Sequence, residues 1–125
     1  MNTEDKELLF KDLCARLPYG VKCVFHSKMG EIPATITKFD AEVEMFSYKP
    51  VGSTITYLIY IDEIKPYLRP MSSMTDEERE KFRYGFGSDL YGNIKRIDWL
   101  NKNHFDYREL IPMGLALKAP KKMYK

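Results

Sequence analysis

Between residues 21 and 68 the chain carries four short apolar runs joined by connections of only a few residues. Connections this short exclude parallel pairing, because a parallel return needs a crossover of about a dozen residues or more. The segment therefore reads as an antiparallel meander. Val21, Cys23 and Phe25 alternate along residues 21–27, and Met29-Gly30 marks a tight turn. Ile32, Ala34 and Ile36 share one face of residues 32–39, and Pro33 places the start of that strand at an edge or a bulge. A third strand is expected over residues 42–48, with Val43 and Met45 on one face. A fourth is expected over residues 54–61, where Ile55, Tyr57, Ile59 and Ile61 face one way and Thr56, Leu58 and Tyr60 the other. Apolar residues on both faces predict a central position for this fourth strand.

Helices flank the sheet. Leu9, Leu13 and Leu17 recur every four residues, and Phe10 and Cys14 widen the stripe, which predicts a helix over residues 3–17 capped by Thr3. Lys6, Glu7, Lys11 and Asp12 are assigned to its solvent face. Pro18 and Gly20 stop it. Asp62-Glu63-Ile64-Lys65 reads as one helical turn before Pro66, and a short turn after a barrel strand is the layout of SH3-like barrels, an analogy of fold that carries no function. Thr75 and Glu78 form a capping box opening a helix to about Tyr84. The glycines of residues 85–93 predict a flexible loop. A further helix is expected over residues 94–103, with Ile94, Ile97, Trp99 and Leu100 as its apolar face, and a short one over residues 107–113, capped by Asp106 and closed by Gly114. The fold class is α+β. Residues 1–70 form an N-terminal helix with a small antiparallel SH3-like sheet of about four strands, and residues 71–125 form a helical extension packing on it with a basic tail at 118–125. Whether those helices pack on their own sheet or on a second copy in a homo-oligomer is left open.

Composition narrows the function classes. With 44% hydrophobic and 30% charged residues, the 125-residue chain is globular and large enough to fold without metal or disulfide support. Its net charge of +2 is too small to imply nucleic acid by bulk field alone. The N-terminus is acidic and polar, no apolar run reaches membrane-spanning length, and the two cysteines form no paired motif. A cytoplasmic protein without membrane contact, cofactor or metal is expected. Cys23 and His26 have a metal-like spacing, but on a regular strand they point to opposite faces.

Three sets of residues stand out. Nine tyrosines and seven phenylalanines suit an interaction surface, and Tyr57, Tyr60 and Tyr67 on and after the strands, with Trp99, His104, Asp106, Tyr107 and Arg108 further on, are its candidates. The same tyrosines interleaved with basic residues would stack bases, with Lys118, Lys121, Lys122 and Lys125 on phosphate. His104 and Asp106 could serve a small hydrolase as an acid/base pair, yet no Ser or Cys nucleophile stands nearby in sequence. Against this, Asp106 suits a helix cap, Trp99 and Phe105 suit a core, and Arg108 suits an ion pair. A non-catalytic module binding another protein is the leading expectation, and nucleic-acid binding the alternative.

Three stretches, KDLCARLPYGVK, IKPYLRPMSSMT and DWLNKNHFDYRELI, resemble a group of small uncharacterised proteins of gut anaerobic bacteria, often associated with prophages and other mobile elements. The resemblance implies a bacterial intracellular setting. It implies no activity, cofactor or site residue.

Overall fold

In the computed structural model, which describes residues 1–27 and 30–124, one helix, five strands, two further helices and a sixth strand follow one another. Helix α1 spans Thr3–Arg16. Its cap is Asn2 rather than Thr3: the Asn2 Oδ1 accepts the Asp5 amide at 2.7 Å. Leu9 and Leu13 are fully buried and lay the helix on the sheet.

The strands are β1 (Val21–Ser27), β2 (Gly30–Asp40), β3 (Met45–Pro50), β4 (Tyr57–Ile59), β5 (Ile64–Leu68) and β6 (Leu117–Lys118), in the order β4-β3-β2-β1-β5-β6. The first five pair antiparallel, whereas β6 pairs parallel to β5. Six strands thus replace the expected four. The expected helical turn is a 3-10 turn at Ile61–Glu63, and strand β5 begins directly after it. Pro66 is tolerated there. Leu68 turns its carbonyl away from β1, toward the Ala119 amide, so by alternation the donorless nitrogen of Pro66 faces the same side, ahead of the start of β6. Strand β4 is an edge, not a centre, and is only three residues long: Ile59 is buried and Tyr57 and Leu58 are exposed.

Strand β2 bends at Thr37. The register steps from Ile36↔Tyr48 to Lys38↔Ser47, leaving Thr37 as the extra residue of a bulge. Ala34 and Ile36 point to the core before it. After it the alternation is reset, and Phe39 turns to meet Phe10 and Phe46, with ring centroids 4.8 and 4.9 Å away.

Past the sheet lie α2 (Asp76–Tyr84), with its capping box present, and α3 (Leu90–Lys102), which starts four residues before the expected residue 94 because Asp89 caps it, accepting from the Gly92 amide. Four of the nine residues of the expected loop 85–93 are thereby helical. Gly92 is needed where it stands: the carbonyls of Phe86 and Gly87 lie so close that a Cβ would collide with backbone. No helix forms over residues 107–113. Glu109 adopts a left-handed φ of 61°, and Pro112 has no amide to donate, so turns take the place of a helix, closed by Gly114 at φ 76°. The expected tail at 118–125 is also in part structural. Lys118 lies in β6, Ala119 donates to the Leu68 carbonyl, and the Tyr124 side chain folds back onto the sheet.

Leu110, Leu115 and Ala116 join α1 and the sheet in one core. Met74, Leu100 and Phe105 form a second, smaller one with Phe82, Trp99 and Tyr107 around them. Among the described residues no helix is long and apolar enough to cross a membrane. Substituting Gly92→Ala tests the close approach. Helix propensity alone would stabilise by about 1 kcal/mol, but the collision is expected to destabilise by about 1–3 kcal/mol instead, read as a lowered urea midpoint.

Candidate functional site

Two regions compete for the role, one closed and polar, the other open and apolar. The closed one is built where α1 meets the chain after α3. Asp12 and Arg16, one helical turn apart, are both fully buried rather than solvated. Arg16 Nε donates to Asp12 Oδ2 at 2.9 Å and Nη2 to Oδ1 at 3.0 Å. The same Nη2 donates to the Phe105 carbonyl at 2.6 Å. Arg108 approaches Asp12 Oδ1 at 3.3 Å. Both guanidiniums approach the Tyr107 ring, that of Arg16 at 5.2 Å and that of Arg108 at 5.1 Å from its centroid, and the Tyr107 hydroxyl donates to Asn101 Oδ1 at 2.7 Å.

His104 ends α3. The His104 amide donates to the Asn101 carbonyl and the Phe105 amide to that of Leu100, a Schellman closure with His104 in the left-handed position usually held by Gly or Asn. Its ring is buried and stacks on Tyr124, centroids 3.6 Å apart. Desolvation, with Arg16, Arg69 and Lys22 nearby, pushes its pKa from 6.5 down to about 4. Tyr124 in turn bridges two strands. Its hydroxyl accepts from the Lys22 amide at 2.9 Å and donates to the Tyr67 carbonyl at 2.8 Å, standing in the β1–β5 ladder beyond the Cys23↔Pro66 pair. Burial raises its pKa.

The proposed acid/base pair is not assembled in this arrangement. Both Asp106 oxygens are committed to backbone, Oδ1 to the Leu110 amide at 2.8 Å and Oδ2 to the Ile111 amide at 2.9 Å. No hydrogen bond joins His104 and Asp106 among the described residues. Asp106 does serve as a cap, of turns rather than of a helix. Trp99 is half-buried between Phe86 and Phe105. Arg69 forms a bidentate pair with Glu78 at 2.9 and 2.7 Å and lies 4.1 Å over the Phe105 ring, which holds the Glu78 carboxyl below its usual range. This region therefore reads as a structural joint. His104, Asp106, Tyr107 and Arg108 are brought together around it, with Trp99 beside them; Asp106 is buried, Tyr107 and Arg108 are half-buried, and the buried His104 borders a cavity with Lys22, Lys102 and Tyr124.

The open region is the β4 edge and the groove beside it. Ile55, Tyr57, Leu58 and Tyr60 are exposed there, and Tyr57 stacks on the buried Tyr48 at 5.6 Å. A groove of about 540 Å³ adjoins, walled by Phe10, Phe39, Phe46, Tyr60 and Ile61. Its polar lining is Lys6, Glu7, Glu44 and Asp62, and Lys6 pairs with Asp62 at 3.1 Å, tying α1 to the 3-10 turn and lowering the Asp62 pKa.

Tyr67 lies apart from the other two tyrosines, on β5. Lys118, Lys121 and Lys122 line a different cavity of about 580 Å³ with Arg69 and Glu78, and Lys118 sits on β6, at the other end of the strand order from Tyr57. Lys125, and the side chain of His26, lie outside the described residues. Cys23 is buried in the core, which pushes its thiol up to about 12. Among the described residues no group of three or more His, Cys, Asp and Glu side chains could hold a metal ion. Comparison with protein-family models, with curated proteins and with solved structures found no match.

Tyr124 and the Asp12–Arg16 pair were missed by sequence reasoning. The pair was legible as an acid and a base four residues apart, but its burial was not. Nothing local marks Tyr124.

Two predictions test the joint. Asp12→Ala leaves the Arg16 charge buried without its carboxylate and is expected to cost about 3–5 kcal/mol, measured by urea unfolding. For His104 the folded pKa is depressed, so the unfolded chain takes up the proton first. The stability contributed by the neutral ring is complete above about pH 6.5 and is lost as pH falls toward 4. His104→Asn keeps a residue that tolerates the left-handed turn and should remove that part of the acid sensitivity. Parallel loss in both proteins over that range would exclude His104 as its source.

Proposed function

We propose that this chain is a non-catalytic protein-interaction module of the bacterial cytoplasm, in keeping with its resemblance to prophage-associated proteins, and that it captures an extended apolar segment of a partner at the β4 edge. The observation that carries the reading is an open sheet edge with exposed Tyr57, Leu58 and Tyr60, continuous with a groove floored by three phenylalanines. An open edge offers main-chain donors and acceptors to an incoming strand, and the groove offers a place for one of its apolar side chains. The groove's acids outnumber its one lysine, which favours a protein segment over a phosphate backbone. An SH3-like barrel is the fold reading that accompanies this function. It is supported by the order β4-β3-β2-β1-β5, by the 3-10 turn between β4 and β5, and by the bend of the long β2 at Thr37.

Nucleic-acid binding is a second reading, favoured by one observation: Lys118, Lys121, Lys122 and Arg69 line a single cavity. It requires affinity that falls with salt at a log–log slope of about −0.7 per single-strand phosphate contact. The two readings separate in affinity capture from bacterial lysate with and without nuclease. A protein partner is expected to survive nuclease, and its recovery should fall at least tenfold with Leu58→Asp or Tyr60→Ala, both solvent-exposed substitutions that leave thermal unfolding nearly unchanged. Equal recovery by wild type and variants would remove the β4 edge from the reading, and loss of all partners on nuclease treatment would put the lysine cavity in its place.

A further inference from the structure

Helix α3 carries apolar side chains on two opposite sides, and only one of them is used. Trp99 and Leu100 face the second core, and Gly92 lies under the loop it accommodates. The sequence pattern groups Ile94 and Ile97 with them, yet the structure turns those two outward. Leu90, Tyr91, Ile94 and Ile97 are 77, 65, 50 and 46% exposed. Leu90, Ile94 and Ile97 fall at i, i+4 and i+7, one continuous stripe along the helix, with Tyr91 at its flank. A stripe of this kind on a soluble helix marks a surface that is covered by something.

We propose that this stripe is a homodimer interface in which α3 packs antiparallel against α3 of a second copy. Two observations select a second copy as the occupant. The first is charge placement. Tyr91, Lys95, Asp98 and Lys102 run at i, i+4, i+7 and i+11 along one flank of the stripe. A two-fold axis perpendicular to the paired helices brings that flank against itself. With the axis crossing near Lys95 and Arg96, Ile94 of each copy lies opposite Ile97 of the other, and Lys95 of each lies within one turn of Asp98 of the other. Two Lys95–Asp98 pairings across the axis offset the approach of the two Lys95 to each other, Lys102 of each copy falls within a turn of Tyr91 of the other, and no parallel orientation brings this flank against itself. The second observation is area. Exposures of this size leave on the order of 450 Å² on the four side chains. Two copies with their polar flanks then bury about 1,200 Å², the lower end for specific interfaces. An interface this small suits a weak, concentration-dependent dimer.

Sedimentation velocity of the full chain from about 5 to 500 μM tests this. The wild type is expected to pass from monomer to dimer across that range. Ile94→Glu with Ile97→Glu should remain monomeric throughout, and because both side chains are exposed in the monomer its circular dichroism and thermal midpoint should match the wild type. Lys95→Asp and Asp98→Lys should each weaken dimerisation about threefold or more, and the double exchange should restore it, which simple loss of apolar contact would not do. A monomeric wild type at 500 μM would overturn the proposal and leave the stripe to a partner of different sequence. A dimer that survives the double glutamate variant, or an exchange that fails to restore it, would place the contact elsewhere.

Discussion

The fold depends on a charge pair that never meets water. Asp12 and Arg16 are fully buried, and the second amine of Arg16 continues to the Phe105 carbonyl. An ion pair in such surroundings contributes little net stability, because desolvation of both charges offsets most of their attraction. What it contributes is specificity. An isolated carboxylate or guanidinium cannot be left there, so α1 must sit at one rotation on its axis and the chain after α3 must return to one place. Phe105 is held a second way: Arg69 donates its amide to the His104 carbonyl and accepts from the Asp106 amide, which extends β5 by an isolated parallel bridge. The N-terminal helix, the last long strand and the C-terminal segment are locked to one another at this single joint.

Tyr124 closes the same region from the other side. Where Pro66 lies opposite Cys23, strands β1 and β5 have begun to part, and a phenol hydroxyl fills the ladder in place of a direct backbone bond. The ring then covers His104, so the imidazole stays neutral in a neighbourhood that already holds several cations. Residues that looked chemically active in a row, His104 through Arg108, are occupied in building. The Asp106 carboxylate is spent on two backbone amides and the Tyr107 hydroxyl on Asn101, so the His104 ring lacks the carboxylate partner that a reacting pair would need.

The opposite end of the sheet is left comparatively bare. The bulge at Thr37 turns Phe39 toward Phe10 and Phe46, and these rings make the floor of a groove that no other element covers. Strand β4 is too short and too exposed to be a buried strand, and Tyr57 gains only partial cover from Tyr48. The outward stripe of α3 is a second uncovered surface, on the helical half of the chain. Rigid joint and open surfaces thus occupy different parts of one small molecule.

Elements whose signal is local are legible along the chain: the leucine stripe of α1, the alternation of β1 and the first half of β2, and the capping box of α2. The α+β class follows from these, as does antiparallel pairing of the first strands, because short connections allow nothing else. Tertiary structure decided the rest. Strand β5 is interrupted by Pro66 and reads as a turn until β1 pairs with it on the side where no proline donor is needed. Strand β6 is two residues long and exists only because β5 offers it an edge. The apolar residues of the fourth run suggested a centre, but position in a sheet is set by which strands remain to pair, and none remained beyond β4. Whether Asp12 is solvated or buried, and whether Ile94 faces the core or water, depends on what packs against the helix, and periodicity within the helix does not contain that. Tyr124 finds its place about a hundred residues away in sequence, through one hydroxyl and one ring, a contact that no local pattern encodes.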